Sequence, residues 1–301
     1  MKYALIIFQI LLLSLQSCED YAQDSYEEQF IVEAYLVAGR PLPNVSLFKT
    51  VIADEKFNYG QDSYGVNNAE VEIRLLSTGP FSEIETVYSF GFESKGRYST
   101  SNVHEVLPLR TYELRIQFPD TEDSIMAHTT VPDTFSIHPD LPDSIVYQSP
   151  ERLQITLGVS KYPDRQSIFI LNALGLNPKE SMLTPFYQEV FESKGKDPRD
   201  LGLFANNSTG IINEGSFVKN EDGSVRIEYP WSGFSYFEDN LLVANAIDDN
   251  LYDFVRSQTV QLGGSSLSPG EIQNVIYNIE GGIGVFGALA TDTAAIYLKR
   301  N

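Results

Sequence analysis

The chain has 301 residues, with 21 basic and 41 acidic side chains, a formal net charge of −20 and one cysteine. That length holds two ordinary domains. The acidity is spread along the chain with no basic patch, so a nucleic-acid partner has no electrostatic footprint, and a single cysteine excludes an internal disulfide.

The first element is a leader. Lys2 precedes an apolar run over residues 4–15, broken only by Gln9 and Ser14. A short basic segment followed by such a run is a secretory signal, and the run is shorter than the roughly 20 residues a membrane helix needs. It ends Leu15-Gln16-Ser17-Cys18, and this cysteine has no partner in the chain. Its position predicts a lipobox: residues 1–17 are removed and Cys18 is acylated. An unmodified stray thiol is the other reading. Glu19 and Asp20 follow at once, with Asp24, Glu27 and Glu28 behind them, so residues 18–28 read as a lipidated acidic tether.

Strands come next. Residues 30–36 (FIVEAYL) alternate apolar and polar, the signature of a half-buried strand. Further runs at 45–50, 69–76, 85–92, 112–118 and 124–131 are separated by polar turns such as 58–62 and 93–96. This spacing predicts an immunoglobulin-like or transthyretin-like β-sandwich over residues 29–133. Pro132, Pro139 and Pro142 then alternate with Asp133, Asp140 and Asp143, a composition that cannot continue a ladder. Residues 134–143 read as a linker.

The second domain, 144–301, is also β-rich. It opens with strand-like runs at 144–148, 153–159 and 167–174. An irregular stretch over 175–210 follows, long enough to be a surface excursion. Residues 217–219 and 224–228 flank the polar turn 220–223 as a hairpin. Residues 248–257 (DDNLYDFVRS) predict the one short helix, with Asp248 or Asp249 as its cap and Leu251, Phe254 and Val255 on one face.

Near the C-terminus, Gly282, Gly284 and Gly287 spell G-x-G-x-x-G. A dinucleotide turn needs a helix to start there and a full βαβ unit around it. Too little chain follows Gly287, and Thr291, Thr293, Ile296 and Tyr297 suit a strand. Gly281, Gly282, Gly284 and Gly287 therefore read as a structural turn in which missing side chains allow positive φ or close packing. No nucleotide cofactor is expected.

Catalytic chemistry has little support. His104, His128 and His138 have no second histidine at metal-binding spacing, and there is no H-E-x-x-H or G-x-S-x-G. Asn220-x-Asp222-Gly223 and Asp248-Asp249-Asn250 lack calcium-loop spacing and read as a turn and a helix cap. No metal or other cofactor is expected. Phe186, Tyr187, Tyr229, Trp231 and Tyr236 cluster in sequence with Phe191 and Phe234. Aromatics of this kind either pack a domain core or form a ligand or partner surface.

The segment Tyr277-Asn278-Ile279-Glu280-Gly281-Gly282-Ile283-Gly284-Val285-Phe286-Gly287 resembles the closing signature of a Bacteroidota lipoprotein family catalogued as domain of unknown function 4249. Phe30–Tyr35, Ala69–Ile73, Gly96-Arg97-Tyr98, Thr111-Tyr112-Glu113-Leu114 and Leu251–Phe254 resemble the family's other elements in order. Tyr277 stands where serine is usual, and Leu267-Ser268-Pro269-Gly270 stands where the family often has Asn-Pro-Phe. The resemblance implies that Glu19 and Asp20 form a surface-export signal and that the protein faces outward on the outer membrane. It also implies a non-enzymatic accessory or ligand-capturing partner of a TonB-dependent transporter. A surface hydrolase acting on glycans or peptides, or an adhesin or structural module, is the alternative.

Overall fold

The computed structural model describes residues 27–51, 64–79, 82–259 and 274–301. The signal segment 1–17, Cys18, Glu19 and Asp20, the turn 58–62 and residues 267–270 lie outside the described residues.

Alternation builds the first half. β1 (Phe30–Val37) buries Val32, Ala34 and Leu36 and turns the residues between them outward, the period of two that a pleated strand imposes. β2 (Val45–Lys49), β3 (Glu70–Leu76), β4 (Ile84–Ser94), β5 (Arg97–Ser99), β6 (Thr111–Gln117) and β7 (Ser124–Thr130) follow. They pair in the order β1-β2-β5-β4-β3-β6-β7, antiparallel throughout. Ile73, Tyr98, Tyr112, Leu114 and Ile116 fill one core between the curled faces. Met126 in β7 exchanges main-chain hydrogen bonds of 3.1 and 2.9 Å with Glu280, which nearly closes the sheet on itself.

The second half contains β8 (Ser144–Val146), β9 (Leu153–Leu157), β10 (Ile168–Gly175), α1 (Pro185–Ser193), α2 (Pro198–Phe204), β11 (Asn206–Asn213), β12 (Val225–Tyr229), β13 (Glu238–Ile247), α3 (Asp249–Thr259) and β14 (Ile283–Lys299). The order β11-β10-β13-β14 continues into β1, so both halves share one 12-stranded sheet, with β8 pairing β14. β9 and β12 form a separate two-stranded layer. It packs Ile155, Leu157 and Ile227 against Phe169, Leu171, Leu242 and Ala244 of the large sheet. On the other face of β10, Ile168 meets Ile247, Val285 and Leu251 of α3.

β14 joins the two cores. It runs parallel to β1 from Ile283 to Leu289 and antiparallel to β13 from Leu289 to Leu298. Phe286 and Ala288 lie in the first core, and Ala290, Ile296 and Leu298 in the second. Residues 29–133 therefore complete their core with a strand from the far end of the chain.

The mainly β architecture agrees with the sequence reading. Three α-helices stand among the described residues where one was expected. α1 and α2 lie inside the 175–210 stretch, and each begins with proline at its first turn. That position suits proline because its fixed φ is helical and its missing N–H is not needed there. Asp197 adds a cap, its side chain accepting from Arg199 N–H. No described helix is long and apolar enough to cross a membrane.

Candidate functional site

The glycine signature opens β14 rather than a nucleotide turn. Gly284 has φ +117°, and a Cβ there would overlap the Val32 carbonyl oxygen. Gly281 has φ +82°, and a Cβ there would overlap the Ser124 carbonyl oxygen. Both positions combine left-handed backbone with contact against a neighbouring strand, which only glycine satisfies. Gly287 has another role: a Cβ would meet Leu251 Cγ at 2.5 Å, so its bare backbone seats α3. Phe286 is fully buried beside it.

A polar junction surrounds that seat. Asp248 precedes α3 and accepts from Leu251 N–H at 2.9 Å, the capping geometry. Its other oxygen accepts from the Thr129 hydroxyl of β7 at 2.5 Å. Burial pushes the Asp248 carboxyl up to about 6, although both hydrogen bonds favour the charged form. Asn250 and Asn278 both donate to the carbonyls of His128 and Phe286. The Arg165 guanidinium binds the Asp249 carboxylate, donates to Ile247 O at 2.7 Å and lies 4.0 Å over the Tyr162 ring. Burial, then the Asp248 charge, pushes the Tyr162 phenol up to about 12. These groups satisfy one another across β7, β14 and α3. The arrangement locks the two cores together.

The five aromatics separate by burial. Tyr229 and Tyr236 are core residues, at 2% and 0% exposure, so neither can line a surface or a cleft. Tyr229 packs edge-on against Phe234, and burial raises its phenol well above the usual range. The Tyr236 hydroxyl donates to Leu201 O at 2.6 Å and ties α2 to the sheet. Trp231 is half-buried against Tyr147, ring centroids 4.7 Å apart. Tyr187 is half-buried, its hydroxyl accepting from Asn207 Nδ2 at 2.7 Å. Phe186 alone is open, at 54%.

The histidines are held by structure. His104 Nε2 lies 2.9 Å from the Tyr112 hydroxyl and the ring stacks on Tyr88; burial, then the Arg110 charge, lowers its pKa. His128 faces Glu113 at 3.1 Å. His138 is half-buried and its N–H donates to Thr156 O at 2.8 Å. No group of three or more metal-ligating side chains occurs among the described residues. Asp222 accepts from Ser224 N–H at 2.9 Å and from its hydroxyl at 2.6 Å, the turn expected for 220–223.

Open surface chemistry gathers on the outward face of β9 and β12. Two adjoining grooves, of about 590 and 500 Å³, share Arg152, Gln154 and Arg226. Arg152 pairs with Glu228 at 3.0 Å. Phe217 and the 87% exposed Val218 line the first groove. Lys299 and β8 line the second. The sequence places 224–228 in a hairpin, and the exposed alternate positions Arg226 and Glu228 are the available signal for this face.

A family model described as "Domain of unknown function (DUF4249)" matches residues 19–295. No curated protein matches. Among solved structures, trypsin-activated α2-macroglobulin from Escherichia coli aligns at 10% identity and TM-score 0.24, covering 90% of this chain and 16% of that one. Salmonella α2-macroglobulin reacted with methylamine gives the same identity and TM-score over 90% and 15%. The chain thus spans less than a fifth of either protein, and so low a TM-score transfers nothing about activity.

Proposed function

Because this chain belongs to the DUF4249 family, we propose that it is an outward-facing outer-membrane lipoprotein, anchored through Cys18. In this reading it is a non-enzymatic accessory or ligand-capturing partner of a TonB-dependent transporter. The observation that carries the reading is a coincidence of boundaries. The family match begins at residue 19, directly after the lone cysteine that closes an apolar leader. Three acyl chains on such a cysteine give firm anchoring, since each buried CH₂ contributes roughly 0.8 kcal/mol.

The fold supports a direction for such an anchor. The tether enters the fold at β1, where Ile31 stands beside Ile283. β14 runs parallel to β1 from that point to Leu289, then continues along β13, 17 residues in all, and ends in the second core. At about 3.3 Å per residue, a straight strand of that length covers roughly 50 Å. The second core, with its open grooves, is thereby held away from the tethered end.

The test has two parts. Cys18→Ala should abolish incorporation of labelled palmitate and release the protein from the membrane fraction. Affinity purification from gently solubilised outer membranes should recover a TonB-dependent transporter in stoichiometric amount. Recovery of the lipoprotein alone, under conditions that keep other outer-membrane complexes intact, would reject the accessory role.

A further inference from the structure

The second groove is a slot between two strand edges. Ser144, Ile145 and Val146 all line it, as do Arg152, Leu153 and Gln154. Side chains of consecutive strand residues point to opposite faces, so a groove touching three in a row runs along their backbone.

Both edges are open. On β8, Asp143 O accepts from Tyr297 N–H and Tyr147 N–H donates to Lys299 O, while Ile145 stands opposite Leu298. In a parallel ladder the residues between these contacts turn their main-chain groups the other way. Ser144 and Val146 therefore face the slot. Val146 O is taken by Ser149 N–H. Ser144 N–H, Ser144 C=O and Val146 N–H have no partner among the described residues. On β9, Thr156 O accepts from His138 N–H and Gly158 N–H donates to Ser136 O, so this edge is covered by 136–138 along one part only. The chain then leaves through Pro139 and Pro142 to become β8. By the same alternation, Gln154 N–H and C=O face the slot.

We propose that this slot binds an extended segment of a partner protein as an added strand, with a carboxylate of that segment received by Arg226 and Lys299. Main-chain pairing to an open edge supplies affinity, and flanking side chains supply choice. Arg226 and Lys299 line the slot without an acidic partner among the described residues, whereas Arg152 is already paired with Glu228. Asp140 and Glu151 line it too, so the matching segment is charged in alternation rather than acidic throughout. An open edge of this kind would otherwise invite indiscriminate pairing, and charged side chains beside it are how proteins limit that. Neither the lipid anchor nor the identity of any transporter enters this binding mode.

The probe is a set of random short segments displayed in a loop of a carrier protein, selected on the folded domain. Expected are binders that slow amide exchange at Ser144, Val146 and Gln154. They should lose about tenfold or more in affinity against an Arg226→Glu, Lys299→Glu double variant. Both side chains are exposed, so an unchanged unfolding midpoint will show that the variant folds. Val146→Pro, which removes the slot-facing N–H, should weaken the same binders. Selection without enrichment would overturn the proposal. So would binders that ignore both variants and leave those three amides unprotected.

Discussion

Asn250 and Asn278 converge on the same two acceptors: each side-chain amide donates to His128 O and Phe286 O, at 2.7 and 3.1 Å from Asn250 and 3.3 and 2.8 Å from Asn278. Either residue alone keeps both carbonyls satisfied. Removing both returns the exposed His128 O to water and leaves the partly buried Phe286 O without its side-chain donors. Asn250→Ala should cost about 1 kcal/mol, and the double variant with Asn278→Ala should exceed the sum of the singles by about 1 kcal/mol. Asn278→Ala should cost more than Asn250→Ala, because Asn278 also accepts from Phe286 N–H at 3.0 Å. Denaturant titration of the four proteins measures the coupling.

Gly284→Ala should be among the most damaging small substitutions in the chain. It adds left-handed strain and a carbonyl clash at one position, for a loss of about 3 kcal/mol or more. Gly39 has φ +69°, but a methyl group added there would meet nothing within 4 Å, so Gly39→Ala should cost only about 1 kcal/mol from backbone strain. Comparing their unfolding midpoints separates strain from collision.

Asp248 gives stability an acid-side component. Its folded pKa of about 6 lies above the ordinary 3.8, so the folded state holds the proton more tightly. The stabilisation is fully present below the ordinary value and is lost as pH rises through about 6. A rise of this size corresponds to roughly 3 kcal/mol at most. Asp248→Asn retains a capping side chain but cannot take up the proton. Its deficit relative to wild type should therefore grow when denaturation is measured at acidic rather than neutral pH.

Tyr236→Ala and Tyr229→Ala should each cost about 3 to 5 kcal/mol, as deletions of fully buried rings do. Phe186→Ala should change stability by no more than about 0.5 kcal/mol. Thermal unfolding of the three variants distinguishes core from surface among aromatics that sequence alone does not separate.

Arg165→Lys should lose about 1 to 2 kcal/mol despite keeping the charge. The planar guanidinium serves Asp249, Ile247 O and the Tyr162 ring together, and a point ammonium cannot reach all three. Chemical denaturation of this variant is the check.

Legibility follows local periodicity. β1, β3, β6 and β7 alternate cleanly and can be read directly from the chain. β13 is central to the second core yet escapes such a reading, because Asn240 and Asn245 interrupt its apolar pattern. Asn245 depends on the fold for partners: it donates to Asn172 Oδ1 at 3.1 Å and accepts from the Thr291 hydroxyl at 2.8 Å. α1 and α2 are hidden for the opposite reason. Their signals, proline after Thr184 and after Asp197, are local but brief, and the helices span nine and seven residues. The glycine signature is readable as a turn, but its contacts with Val32, Ser124 and Leu251 require the fold. The slot beside β8 is invisible in sequence, since it is made by main-chain groups that no residue type announces.

The pairing of Ile31 with Ile283 also sets a timetable. A chain made from its N-terminus presents β1 to solvent long before β14 has been synthesised, and the first core lacks Phe286 and Ala288 until then. That core is therefore incomplete in a nascent chain until β14 is made. On the proposed export route this keeps the polypeptide threadable until its last segment has crossed. A chain cut short before β14 should be degraded as a whole, with neither half surviving as a protease-resistant fragment.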